Sequence, residues 1–478
     1  MSKYTRLGKN TALVFVGNAG AKLIGLLMLP FYTRWLSVED YGTTDIISVY
    51  VSLLLGLTTA CIAEAVFIFP KDQSYEKQKN YFSSGLCFAF ISLGITAVLF
   101  KIAGGVFSYK HLSNSFTSNI WFIYGLLVTS FLQQYIQQFV RSIDKIKVYS
   151  TTGIILTVST AVFSFVIIPR WGVFGYVSAL ILANITAAAY SFFCSGAFQY
   201  LAIRSVRKTL CLEMLKFSIP LIPNGIMWWL VGALNRPLME NQLGLHAVGI
   251  FGVAQKFPGI LSMVFSMFAV SWQISVLEEF GKEGYALFFN KMFRAVVTGL
   301  ILLFFVIAIS SKLIVSIFTT SIFYEAWRYV PVLTLGVLFS SISGFAGSNF
   351  SATREGKYFF YSSVWGAGAS ILGNFILIPR FGIMGAAVSV PISFAVMAVS
   401  RVLYGWKYVK IQNIKRYLLM LVMGVGTIFI LLHIQTAWLR YSSLGFVCIL
   451  FIGINFDMKA DAVKLYLRIK KTWKSFKK

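Results

Sequence analysis

Apolar runs of about 20 residues alternate with short polar gaps from one end of the chain to the other, the length that a bilayer requires of a helix. Runs at roughly 11–36, 43–69, 81–101, 119–140, 149–169, 174–198, 215–236, 247–276, 292–317, 328–350, 358–378, 383–406, 415–435 and 441–455 predict about fourteen membrane-spanning helices. Each run is too long for a barrel strand, and the two-residue alternation of an outer-membrane barrel is missing. The expected fold class is an all-α integral membrane protein.

One octet is written twice. Ile168-Pro169-Arg170-Trp171-Gly172-Val173-Phe174-Gly175 returns as Ile378-Pro379-Arg380-Phe381-Gly382-Ile383-Met384-Gly385, a shift of 378 − 168 = 210 residues. Both copies lie between long apolar runs, so each is expected to be a tight turn. Proline stops one helix, the first glycine permits the reversal, and the second lets the next helix pack closely. By the assignment above an even number of spans separates the copies, so two six-helix lobes share one orientation and are related by a parallel pseudo-twofold axis along the membrane normal. The expected division is 1–205 (spans one to six), 206–410 (seven to twelve), 411–456 (the last two spans) and 457–478, a basic interfacial tail. A fainter echo sets Leu36–Gly42 against Leu243–Gly249, shifted by 243 − 36 = 207 residues, and supports span seven as the counterpart of span one.

Composition agrees with the membrane reading: 58% of the 478 residues are hydrophobic, only 12% are charged, and the mean hydropathy is +0.76. A net charge of +26 would suit a nucleic-acid partner, but its distribution does not. Lysine and arginine fall in every second gap: Lys3, Arg6 and Lys9, then Lys71, Lys77 and Lys79, then Arg141, Lys145 and Lys147, and so on to Lys407, Lys410 and Lys415. By the positive-inside rule both termini are cytoplasmic, and the charge is an orientation signal and an attraction to anionic membrane lipids. The cysteines show no CxxC spacing, and His111, His246 and His433 are scattered, so no disulfide, metal or cofactor framework is implied. No loop carries a phosphate-binding glycine motif with its lysine, which argues against ATP hydrolysis within this chain. The first span lacks a small-residue cleavage site and is too long for a signal-peptide core, so it is expected to be a permanent helix.

Candidate chemistry comes from polar groups inside the apolar runs. In span one Asn18, Lys22, Gly25 and Tyr32 share a face, with Lys22 near mid-depth, where a cation costs about 2.5–3.5 kcal/mol unless it faces water or a partner. Arg34 follows near the outer mouth, as a ligand group or as a snorkelling anchor. Span seven carries Asn224, Trp228 and Asn235 on one face, is interrupted by Pro220, Pro223 and Gly225, and ends in Arg236-Pro237. Span eight contributes Lys256, followed by Pro258-Gly259. Broken helices lining a cavity are where transporters bend and bind. Asp45 and Glu64 are acidic groups in an otherwise apolar span two. Each either binds H⁺ or Na⁺ and drives the conformational cycle or neutralises a nearby lysine. Spans nine to twelve are read as having few buried charges.

The stretch Leu29-Pro30-Phe31-Tyr32-Thr33-Arg34-Trp35-Leu36-Ser37-Val38-Glu39-Asp40-Tyr41-Gly42 resembles the opening signature of the Wzx-type O-antigen and polysaccharide repeat-unit flippases, which belong to one transporter superfamily with the multidrug and toxin extruders and the lipid II flippase. The resemblance implies carriage of an undecaprenyl-diphosphate-linked oligosaccharide across the bacterial inner membrane, with polysaccharide polymerase or chain-length proteins as candidate partners. Lys22, Lys256, Arg34 and Arg236 suit a diphosphate, and Tyr32, Trp228 and the asparagines suit a sugar. Two other readings stand beside it. A cation-drug exporter of the same superfamily needs an acidic mid-membrane site. A polysaccharide polymerase or ligase needs a sizeable outer loop with acid, base or arginine groups, whereas the longest outer gap, about Gly104–Ser118, offers Lys110 and His111.

Overall fold

The computed structural model describes residues 24–109, 114–353 and 355–455. Asn18 and Lys22 lie outside the described residues, as does the basic tail. The described chain is helical throughout, without a strand.

Two helices of 49 residues, Ile146–Cys194 and Lys357–Gly405, hold the two copies of the octet at their centres. Each is a hairpin. In the second, Arg401 meets Ser362, Met397 and Ser393 meet Gly366, and Ser389 meets Gly373, so the arms run antiparallel about the turn. In the first, Lys145 Nζ donates to the Ser195 carbonyl across the same kind of ladder. The reversal falls on the first glycine of each octet: Gly172 has φ +49° and ψ −125°, Gly382 φ +57° and ψ −135°, a region that residues with a Cβ avoid. The second glycine sits where a Cβ would lie 2.7 Å from the Ile167 carbonyl oxygen in one copy and 2.0 Å from that of Leu377 in the other. The prolines behave differently from expectation. Pro169 and Pro379 lie within continuous helix, and the chain turns three residues later, so glycine makes the turn. Replacing Gly382 by alanine forces a Cβ into that conformation and is expected to cost about 1–3 kcal/mol. A thermal melt of the purified protein that left the variant's midpoint at the wild-type value would contradict this.

Among the described residues nine helices are long and apolar enough to span a membrane by length and composition, two of them these hairpins, so that test does not reproduce a count of fourteen. Part of the difference is that several runs are broken. Span two is Val38–Thr58 followed by Ile62–Ile68, divided where Ala60 and Cys61 take φ +49° and +52°. Its start is set by Ser37, whose hydroxyl accepts from the Asp40 amide while the Asp40 carboxylate accepts from the Ser37 amide. The link between the halves becomes the helix Lys208–Ser218, which buries Met214 against Ala63, Ala65 and Tyr81 of the first half and bends by 40° into Leu221–Gly232. Span eight is Leu245–Ala254 and Gly259–Glu279, interrupted by Gln255-Lys256-Phe257-Pro258. The last two spans, Ile414–His433 and Ala437–Ile454, pack on Tyr285–Ile309 through Phe293 with Tyr417 and Phe305 with Phe451. Leu99, Val422 and Ile449 are typical of the many large apolar side chains left outward, the surface a lipid solvent selects.

Candidate functional site

The two halves meet at one end of the bundle through Val38–Thr58 and Leu245–Ala254. A Cβ on Gly42 would lie 2.3 Å from the Leu245 carbonyl oxygen, and one on Gly249 would lie 2.0 Å from that of Val38. Leu245 and Gly249 follow Val38 and Gly42 by the same 207 residues as the faint sequence echo (245 − 38 and 249 − 42), so the contact is pseudo-symmetric. The Thr320 hydroxyl donates to the Thr33 carbonyl at 2.9 Å, and the Ser115 amide donates to Glu240 at 2.6 Å, adding two more ties between the halves.

Just below this contact lies a buried ion pair. Arg236 Nε is 3.2 Å from the Asp45 carboxylate, with about 7% and 12% of the two side chains exposed. The same guanidinium donates to the Gly232 carbonyl at 2.6 Å, to Asn235 Oδ1 at 3.0 Å and to the Gln255 side-chain oxygen, and stacks on Phe251. The structure thus departs from the reading of Arg236 as an available substrate cation, Asp45 as a coupling carboxylate and Asn235 as a sugar ligand. The three side chains are engaged with one another, because a guanidinium at this depth requires a counter-charge and filled hydrogen bonds.

Next to Gln255 the break in span eight presents Lys256 to a cavity of about 400 Å³ between the halves. Tyr32 and Tyr41 line it from one side, Thr160 and Tyr176 from another, and Gln255 and Ser262 beside the lysine. The Tyr32 hydroxyl is 3.2 Å from Ser164 Oγ and its ring stands edge-on to Tyr176, which fixes its orientation. Lys256 makes no ion pair with a described residue, and no acidic side chain is among those lining the cavity. Among the described residues, the chamber offers one ammonium group, tyrosine, threonine and serine hydroxyls, the Gln255 amide and apolar wall.

The remaining sequence candidates are elsewhere. Arg34 is exposed at the end of Leu29–Trp35 and does not line this cavity. Asn224 and Trp228 belong to contacts within the second half: Asn224 accepts from the Ser363 hydroxyl at 3.4 Å, and Trp228, itself exposed, has one face against Phe394 and Arg401. Glu64 is exposed in the first turn after the break in span two. Gln255, Tyr41 and Tyr176 line the cavity without having been singled out in the sequence, and Arg401 is fully buried in span twelve, contrary to the reading of few buried charges there. A lone arginine inside an apolar run was the available signal for the last.

Broken helices around a chamber that carries a lysine, in a bundle with a repeated hairpin, are an architecture found in transporters. The chain belongs to the polysaccharide biosynthesis protein family, whose profile matches residues 7–277. It is 28% identical over 261 residues to the Lsg locus putative protein 1 of Haemophilus influenzae, an alignment that takes in 50% of this chain and 60% of that relative. In fold it is similar to the lipid II flippase MurJ in an inward closed conformation (TM-score 0.66, 15% identity, 94% of this chain and 99% of that one). It is also similar to a MATE transporter in complex with MaD3S (TM-score 0.55, 16% identity, 83% and 94%).

Proposed function

We propose that the protein is a flippase that carries an undecaprenyl-diphosphate-linked oligosaccharide repeat unit from the cytoplasmic to the outer leaflet of the bacterial inner membrane. The observation that carries this reading is the sign of the chamber: Lys256, without a described carboxylate beside it, faces a space lined by Tyr32, Tyr41 and Tyr176. An ammonium group lining the chamber attracts a diphosphate and repels a cationic drug, while the phenols offer ring faces and hydroxyls to sugars. With the termini cytoplasmic, as the distribution of basic gaps implies, the Gly42–Gly249 contact is the outer gate, and its closure leaves the cargo to enter from the cytoplasmic side. The halves then rock about the pseudo-twofold axis, and the polyprenyl chain remains in lipid. A proton or Na⁺ gradient is the natural driving force for the return of the empty carrier, with Glu64 the exposed acidic candidate in span two.

In a strain lacking the gene, the lipid-linked saccharide is expected to accumulate on the cytoplasmic face, and the wild-type chain to clear it. Lys256→Ala removes one charge-assisted contact worth about 1.5–3 kcal/mol, so transport is expected to fall roughly 10- to 150-fold, with Lys256→Arg retaining most of it. Normal clearance by Lys256→Ala would remove the central support for this reading.

A further inference from the structure

The second half of the chain contains a buried cation that the transport reading does not use. Arg401 lies on the returning arm of Lys357–Gly405, one turn from its end, and is 2% exposed. Its Nε donates to Ser362 Oγ at 2.9 Å and its Nη1 to the Ser343 carbonyl at 3.2 Å, while Nη2 has no partner. The rings of Trp228 and Phe359 stand 5.7 and 5.1 Å from the guanidinium carbon. The hydroxyl of Ser343, whose carbonyl already touches the arginine, is also buried and without a partner. Among the described residues no carboxylate pairs with Arg401; Glu355, near the base of the same hairpin, is taken by Lys407 at 2.6 Å.

Arg236 and Arg401 make a controlled comparison within one molecule. Both are nearly inaccessible, both reach a carbonyl and a neutral side chain, and both lie on aromatic rings, yet only Arg236 has a carboxylate. Neutral acceptors and ring faces orient a guanidinium but leave its net charge in place, and buried charges in proteins are paired. Two unfilled donors, Arg401 Nη2 and Ser343 Oγ, belong to residues already in contact, and both call for an acceptor. We propose that these two donors bind a small inorganic anion of halide size, drawn from the aqueous face next to the end of the hairpin. The guanidinium is closely packed on one side, where a methyl group on Gly347 would come within 3.3 Å of Arg401 Nη1 and 2.8 Å of the Phe359 ring, so a diphosphate is excluded. The site is separate from the Lys256 chamber, and the ion neutralises the wall on which Trp228 and the bent helix Leu221–Gly232 rest.

The test uses the full-length protein in detergent, comparing chloride, bromide and iodide with gluconate at equal ionic strength. Halides are expected to raise the thermal unfolding midpoint saturably over gluconate. Arg401→Gln is expected to abolish that response. Ser343→Ala keeps the cation and removes one donor, so it is expected to raise the half-saturating halide concentration about tenfold. Equal midpoints in halide and gluconate overturn the proposal, as does a halide response that persists in Arg401→Gln or is unchanged in Ser343→Ala. If Arg401→Gln does not fold, the Ser343→Ala titration decides.

Discussion

Gly249→Ala is expected to hold the halves apart at the end where they now touch. The added Cβ would stand 2.0 Å from the Val38 carbonyl oxygen, and that of Gly42→Ala 2.3 Å from the Leu245 carbonyl oxygen. Both obstacles are backbone, so a rotamer change relieves neither, and the helices must separate. Alanine also improves helix propensity by about 1 kcal/mol, but it does so whether the contact is made or broken, so that gain cancels from the equilibrium between the two states. What remains is an overpacking cost of about 1–3 kcal/mol on the closed state alone, a shift of roughly 5- to 150-fold toward the open one. Spin labels at the exposed positions Ser37 and Gln242, in a background cleared of native cysteines, report the distance across the contact. A longer distance in either alanine variant, and a still longer mean in the double variant, is the expected result. Distributions that overlay the wild type would show that the glycines are not what lets the halves meet.

Those glycines also show what a sequence can and cannot disclose. The repeated octets were legible because a reversal between two apolar helices has a local chemical requirement, met by Gly172 and Gly382 at positive φ. The weaker echo around Gly42 and Gly249 was visible as repetition, but its meaning was not, since two helices in contact leave only small residues as their trace. Lys256 could be found because a cation followed by Pro258-Gly259 interrupts an apolar run. Asp45 and Arg236 were each conspicuous, yet 191 residues apart nothing local could reveal that they neutralise one another, and two apparent functional charges became one neutral cluster. The break at Ala60-Cys61 had no glycine or proline to announce it. Arg401 escaped because it lies close to the basic gap beginning at Lys407, where an arginine reads as the end of a span. Whether it faces that gap or the protein interior is decided by the rotation of the hairpin.

Breaking the Asp45–Arg236 pair from one side is expected to be costly, and removing it from both sides cheap. Asp45→Leu leaves a guanidinium that is 7% exposed with only neutral partners, and Arg236→Met leaves a carboxylate in the same surroundings. A buried charge stripped of its counter-ion costs about 3–5 kcal/mol, whereas replacing both ions with apolar groups of similar volume is often neutral. Thermal unfolding of the two single variants and the double variant closes the cycle, and a coupling of at least about 2 kcal/mol is expected. The pair joins a helix of the first half to one of the second, and Arg236 also holds Gln255 at the wall of the Lys256 chamber. Stability and transport should therefore separate. The double variant should melt near the wild-type temperature, yet its label distances across the Gly42–Gly249 contact should broaden, because apolar contacts between the halves lack the directional tie. If the double variant remained as unstable as either single one, the cluster's stability would reside in the hydrogen bonds of Arg236 to Gly232, Asn235 and Gln255.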